Sequence, residues 1–270
     1  MLCAMAKLLR IHRIFNVSVV VWLLGAAISH AQTPPAFSAA DEAELAPPAK
    51  GTRVLIVTGI DYPGHHWKET APALKAILEK DTRLSVKIVE KPALIQSRRL
   101  QEWDLIVLHF MNWEVPGPGK EAQENLARLV REGKGLMLTH FACGAWQEWP
   151  EFRQLAGRVW DPKLRPHDPL GSFKVQIADP EHPVTRGLPG FETLDELYTC
   201  LTGDAPIHIV AKATSTVDKK DYPMAFVLNY GKGRVFHSVL GHELPAYTNS
   251  PVMGDLMRRG AAWAAGLEPK

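Results

Sequence analysis

Short apolar runs alternating with amphipathic segments set the pattern of the chain from about residue 53 onward. Arg53-Val-Leu-Ile-Val-Thr58 ends at Gly59 and predicts a strand; Trp67, Ala71, Leu74 and Leu78 then recur at helical spacing. Leu84–Val89 predicts a second strand and Asp104–His109 a third. Ala122, Leu126, Leu129 and Val130 mark another helix, stopped by Gly133, before a fourth strand at Gly135–Thr139. Strands alternating with helices in this way imply βαβ units and a mostly parallel sheet.

The second half is richer in strands. Ser172–Ala178, Ile207–Lys212, Pro223–Leu228 and Arg234–Leu240 all carry β-type patterns, with a hairpin turn at Tyr230-Gly-Lys-Gly233. A last helix is marked by Ser250 as N-cap, Pro251 at its first position and Gly266 beyond its end. Val252, Leu256, Gly260 and Trp263 share one of its faces, which predicts packing on the sheet. The expected fold is a single doubly wound α/β domain with an antiparallel extension.

The N-terminus follows other rules. Lys7, Arg10 and Arg13 precede an apolar stretch from Ile14 to Ile28, and small residues lead to Ala31. That order describes a secretory signal peptide over residues 1–31, cleaved near Ala31, and a periplasmic or secreted product. The apolar run is short of the ~20 residues a membrane span needs, so no stable span is expected after cleavage, an uncleaved anchor being the alternative. Residues 32–50 contain four prolines and several alanines and read as a tether before a domain at 51–267.

Charge now changes meaning. The 270-residue chain has 31 basic and 29 acidic residues, but all three basic residues of the first 31 leave with the signal, giving 28 against 29. No basic excess remains to neutralise phosphates, which excludes nucleic acid as a partner. Cys143 and Cys200 are the cysteines that stay, either paired or separately buried.

The candidate chemistry is histidine. His65 and His66 follow the first strand, His109 ends the third, His140 follows the fourth and His242 follows the last. In open parallel sheets ligands bind outside the carboxyl ends of the strands, so these loops can bring imidazoles to one crevice. His109, flanked by Leu108 and Phe110, fits a structural role best. Such a cluster can do acid–base work or hold a divalent metal such as Zn, although no local metal motif is present. No Gly-x-Gly-x-x-Gly or Walker loop follows the first strand, so no nucleotide cofactor is indicated.

Cys143 lies three residues after His140 and suggests a Cys-His-acid triad, but the tight Gly-x-Cys-x-Gly elbow is absent and His140 falls nearer the strand end. Arg165-Pro-His-Asp-Pro169 suits either a lid or a plain connection. Trp113, Trp146, Trp149 and Trp160 can stack on sugar faces or pack in the core.

Taken in order, Thr58-Gly59 with its following histidines, Gly135-Leu-Met-Leu-Thr-His140, His182-Pro-Val-Thr-Arg-Gly-Leu-Pro189, Asp195-Glu-Leu-Tyr198 and the Gly231–His242 segment resemble the ThuA-like (trehalose-utilisation) family. The resemblance runs from about Arg53 to Gly266. It implies a class I glutamine amidotransferase-like, flavodoxin-like fold, with the amidotransferase cysteine triad lost. It also implies a link to sugar metabolism, including oxidised (3-keto) glycosides, and hence a small carbohydrate substrate; a homo-oligomer is compatible with it.

By resemblance, His140 is the histidine after the elbow strand, His242 that of the closing Gly-His, and Asp195, Glu196 and Tyr198 the acidic-aromatic patch. The first loop departs from the family pattern, since Gly64-His-His-Trp-Lys68 has no acid after its histidines, so His65 or His66 is the equivalent. The expected site has His140, His242 and Glu196 as catalytic groups. His65, His66, Asp195, Tyr198, Trp113 and Trp146 contact substrate, and His65, His140 and His242 hold a metal. His140 or His242 takes the C2 proton of a 3-keto sugar, and the other, or Glu196, protonates the leaving oxygen. The competing readings are a non-catalytic carbohydrate- or partner-binding domain and, more weakly, a Cys143-dependent hydrolase.

Overall fold

The computed structural model describes residues 37–60, 63–113 and 115–270; the expected signal peptide, its expected cleavage point and residues 32–36 lie outside them. Among the described residues nine strands form one sheet: β1 (Thr52–Val57), β2 (Leu84–Val89), β3 (Leu105–Leu108), β4 (Gly135–Thr139), β5 (Gly171–Ile177), β6 (Phe191–Asp195), β7 (His208–Thr214), β8 (Asp221–Tyr230) and β9 (Gly233–Ser238). Their order is β2-β1-β3-β4-β9-β8-β7-β5-β6. The five strands from β2 to β9 pair in parallel, and the rest of the sheet is antiparallel. This is the expected doubly wound sheet with its extension.

Burial explains why these strands read so clearly. Every residue of β3 and β4 is buried, as is the second half of β1. Parallel strands covered on both faces are continuously apolar rather than alternating. The helices are α1 (Ala39–Glu44), α2 (Trp67–Leu78), α3 (Lys120–Glu132), α4 (Phe152–Ala156), α5 (Leu244–Thr248) and α6 (Pro251–Ala264). Helix α2 packs on α5 and α6, while α3 packs on the 3-10 turn Pro92–Gln96 and on β9. Among the described residues, no helix is long and apolar enough to cross a membrane.

Helix α6 starts as expected, with the Ser250 hydroxyl accepting from the Met253 amide. Its buried face differs from the expected one: Met253, Leu256, Met257, Gly260 and Ala261 are buried, whereas Val252 and Trp263 are only half-buried. A side chain at Gly260 would collide with the Phe236 ring, so glycine lets α6 lie close on β9. The hairpin is also as expected, with Tyr230 paired to Gly233 across a two-residue loop.

Two segments depart from the sequence reading. Residues 37–50, expected as tether, contain α1, closed by a reciprocal Ser38–Asp41 capping box. Leu45 after it is fully buried, Lys91 pairs with Asp41, and the Arg99 guanidinium donates to the Glu42 carbonyl. Strand β6 was hidden because its exposed positions carry Glu192 and Leu194 and its last residue is an aspartate, a pattern that reads as a polar patch.

Candidate functional site

Strands β1, β3, β4 and β9 lie side by side in parallel, so the residues just beyond their carboxyl ends meet at one edge. His65 comes from the β1–α2 connection, His140 is the first residue after β4, His242 lies four residues past β9, and Glu196 follows β6 directly. One nitrogen from each imidazole and one oxygen of Glu196 lie within 4.8 Å of one another. His140 Nε2 is 3.2 Å from His242 Nδ1, which is 3.2 Å from Glu196 Oε2. The His65 ring stacks on Phe141 at 4.5 Å and stands 5.2 Å from His140 and 5.1 Å from His242.

Local structure fixes these groups. His140 has φ +41°, a left-handed conformation that non-glycine residues rarely adopt and that concentrates at functional sites. It occupies the strained strand-to-helix turn at which an elbow nucleophile would sit. Its Nδ1–H donates to the Val239 carbonyl at 2.9 Å, which turns the Nε2 lone pair into the cluster. His242 is set by Asp195, whose buried carboxylate accepts from the backbone N–H groups of Glu196 (2.9 Å), Gly241 (2.7 Å) and His242 (3.1 Å). Gly241 has φ +116°, and a side chain there would also collide with the Tyr247 hydroxyl.

Electrostatics favours neutral His140 and His242 beside an ionised Glu196. Burial lowers the His140 pKa below its ordinary value and brings His242 down to about 4. Burial opposes ionisation of Glu196 too, but the imidazoles around it, His140 foremost, outweigh it and hold the carboxyl at about 2. Asp195 goes the other way: burial raises it to about 7 against the pull of its three N–H donors.

The cluster opens into a cavity of about 230 Å³ that is also lined by Trp113 and Tyr198. The Tyr198 ring meets His140 edge-on at 4.8 Å. The structure therefore brings together His65, His140, Glu196, Tyr198, His242 and Trp113 from the expected set.

Three expected contacts lie elsewhere. His66 is exposed at the N-cap of α2 and does not line the cavity; of the two neighbouring histidines, His65 is the one turned inward. Trp146 is 1% exposed, its amide donating to Asn112 and its ring packed among Phe110, Trp149 and Phe152, so it is core. Asp195 is wholly buried and acts through the backbone it holds rather than facing the cavity.

Cys143 does line the cavity, but burial pushes its thiol up to about 12, which removes the thiolate a nucleophile needs. Both Cys143 and Cys200 are free thiols, so the paired alternative does not hold. His109 is structural as expected, bridging Thr70 at 2.9 Å and Thr139 at 2.6 Å.

His167 is the residue that sequence reading missed. Its Nδ1–H donates to the Asp168 carbonyl at 2.8 Å, and its Nε2 faces Glu196 Oε1 at 3.6 Å from the cavity wall. The Arg165–Pro169 loop that carries it is clamped rather than lid-like. Asp168 accepts from Ser215 (2.9 Å), from the Thr216 amide (2.6 Å) and from Arg165, and Arg165 also pairs with Asp218 at 2.7 Å. The only signal was a histidine between two prolines in an otherwise unpatterned loop.

Comparison with known proteins fits this architecture. A ThuA-like protein from Parabacteroides merdae ATCC 43184 has a TM-score of 0.69 at 24% identity, over 80% of this chain and 91% of that one. A ThuA-like protein from Bacteroides uniformis ATCC 8492 has a TM-score of 0.65 at 18% identity, over 88% and 98%. The β-galactosidase of Bacillus circulans sp. alkalophilus shares the fold at a TM-score of 0.54 and 12% identity, over 81% of this chain and 32% of that one. No curated protein matches the sequence. Residues 53–264 match the family model described as trehalose utilisation, so the chain belongs to the ThuA family, a family of carbohydrate metabolism.

Proposed function

We propose that the protein cleaves an oxidised, 3-keto glycoside in the cavity beside His65, His140, Glu196 and His242, and that it does so outside the cytoplasm, as its N-terminal signal pattern suggests. One observation carries the reading: three imidazoles and an ionised carboxylate, supplied by four separate segments, converge within 4.8 Å beside a cavity. Buried ionisable groups are costly, and structural needs alone do not explain four meeting at one point.

The same donor set fits a divalent cation of the Zn type. Imidazoles and a carboxylate suit such an ion, and the His140 bond to a backbone carbonyl is the outer support that ligating histidines usually have. His65, His140 and His242 would hold it. When bound, a cation polarises a keto oxygen and acidifies the C–H beside it.

The protein's own groups then divide the work. Glu196 takes the C2 proton; the electron pair forms a C1=C2 double bond as the C1–O bond breaks, and the departing oxygen takes a proton from solvent. Water adds back across that double bond to complete hydrolysis. Tyr198 positions the ring.

Two measurements test this. Incubation with a 3-keto glucoside and its unoxidised parent is expected to release aglycone from the former only; binding of both without release favours a non-catalytic module. Elemental analysis of untagged protein is expected to find close to one divalent ion per chain, lost in His65→Ala. A metal-free protein indifferent to added Zn or Mn contradicts the cation part.

A further inference from the structure

The cavity has a second character beyond its histidines. Met111, Trp113, Cys143, Trp160 and Pro166 also line it and bring no charge and no hydroxyl. All but Pro166 are linked to one another directly or through Gly144 beside Cys143. The Trp113 and Trp160 rings meet edge-to-face at 5.1 Å, the Trp160 amide donates to the Cys143 carbonyl at 3.0 Å, and Met111 packs on Gly144 closely enough to exclude a side chain there. Trp113 is 49% exposed, and its near neighbour Val115 and Leu164 of the loop after Trp160 are exposed as well. A half-exposed indole beside a cavity is a surface available to a ligand ring.

Size and polarity together narrow the ligand. At about 230 Å³ the cavity lies below the ~300–1,000 Å³ of sites that enclose drug-sized molecules, so it holds one sugar ring while the rest of the ligand runs along the rim. A second sugar could stack on an indole face, but its hydroxyls would lose water against Met111, Cys143 and Pro166, whose side chains offer no strong hydrogen bond in return. A planar apolar group would lose nothing of the kind and would gain contact with Trp113.

We infer that the Trp113–Trp160 wall is an aglycone subsite selecting glycosides with an aromatic or other apolar aglycone over disaccharides. This rests on the glycoside reading above and adds the leaving-group class to it.

The test measures binding and turnover separately, by calorimetric titration and aglycone release, with benzyl 3-keto-glucoside, methyl 3-keto-glucoside and a 3-keto disaccharide. The benzyl and methyl leaving alcohols are of similar acidity, so differences between those two report recognition. The benzyl compound is expected to bind about tenfold tighter than the other two, and Trp113→Ala to remove that preference. Trp113→Leu, which keeps an apolar side chain without the ring, should retain part of it. A disaccharide that binds as tightly as the benzyl compound, or a preference that survives Trp113→Ala, overturns the subsite while leaving glycoside cleavage intact. Benzyl preference without aglycone release from any compound overturns cleavage and leaves the subsite; absence of binding by all three overturns both.

Discussion

Buried groups that never touch a substrate set much of the behaviour of individual residues here. His237 is wholly buried, its Nδ1–H donating to the Ala156 carbonyl at 2.9 Å, and burial lowers its pKa to about 4. Because the folded-state pKa is depressed, the unfolded chain takes up this proton first, near pH 6.5, and stability is lost as pH falls toward 4. The contribution is fully present above pH 6.5 and amounts to about 3 kcal/mol across that window. His237→Leu is therefore expected to flatten the acid limb of a plot of urea-unfolding free energy against pH; curves that stay parallel to wild type contradict the assignment. Asp195 gives a second case. Asp195→Asn places an amide against three backbone donors and is expected to cost about 1–3 kcal/mol and at least tenfold in activity by releasing His242. Full activity in that variant would show that the carboxylate does not position the histidine.

At the scale of elements, the segment before β1 gives a clear prediction. Leu45 is buried in the core cluster, so Leu45→Ala is expected to lower the unfolding free energy by about 2–4 kcal/mol, as read by urea denaturation. A free tether would give a change within about 0.5 kcal/mol. The sequence reading saw four prolines in that stretch and no sustained period, because a six-residue helix is too short to show one. The parallel strands and helices α2, α3 and α6 were legible for the opposite reason: each is an apolar run or a full amphipathic period with its own punctuation. Strand β6 lay at the sheet edge with a half-polar pattern and was not legible. The site followed the same division. His140 and His242 could be read from their places beyond strands, and Glu196 from the family motif. His167, by contrast, depends on a loop whose Asp168 is held by Ser215, 47 residues away. Trp146 misled because an indole in a loop looks the same whether it faces solvent or the core.

Across the whole molecule, the parallel sheet brings three histidine-bearing segments to one edge, and the antiparallel extension returns through β6 to add Glu196 and to hold the His242 backbone. The extension is thus part of the site and not an appendage. The central claim is that this cluster removes the proton beside a ketone before the glycosidic bond breaks. Its most direct test is to run cleavage of a 3-keto glucoside in D2O and follow the C2 position of the released sugar by NMR, with the free 3-keto sugar as control for spontaneous exchange. The account predicts deuterium at C2 at the rate of aglycone release, and loss of both in folded Glu196→Gln protein. Aglycone release with C2–H retained would show direct displacement at C1 and would contradict it.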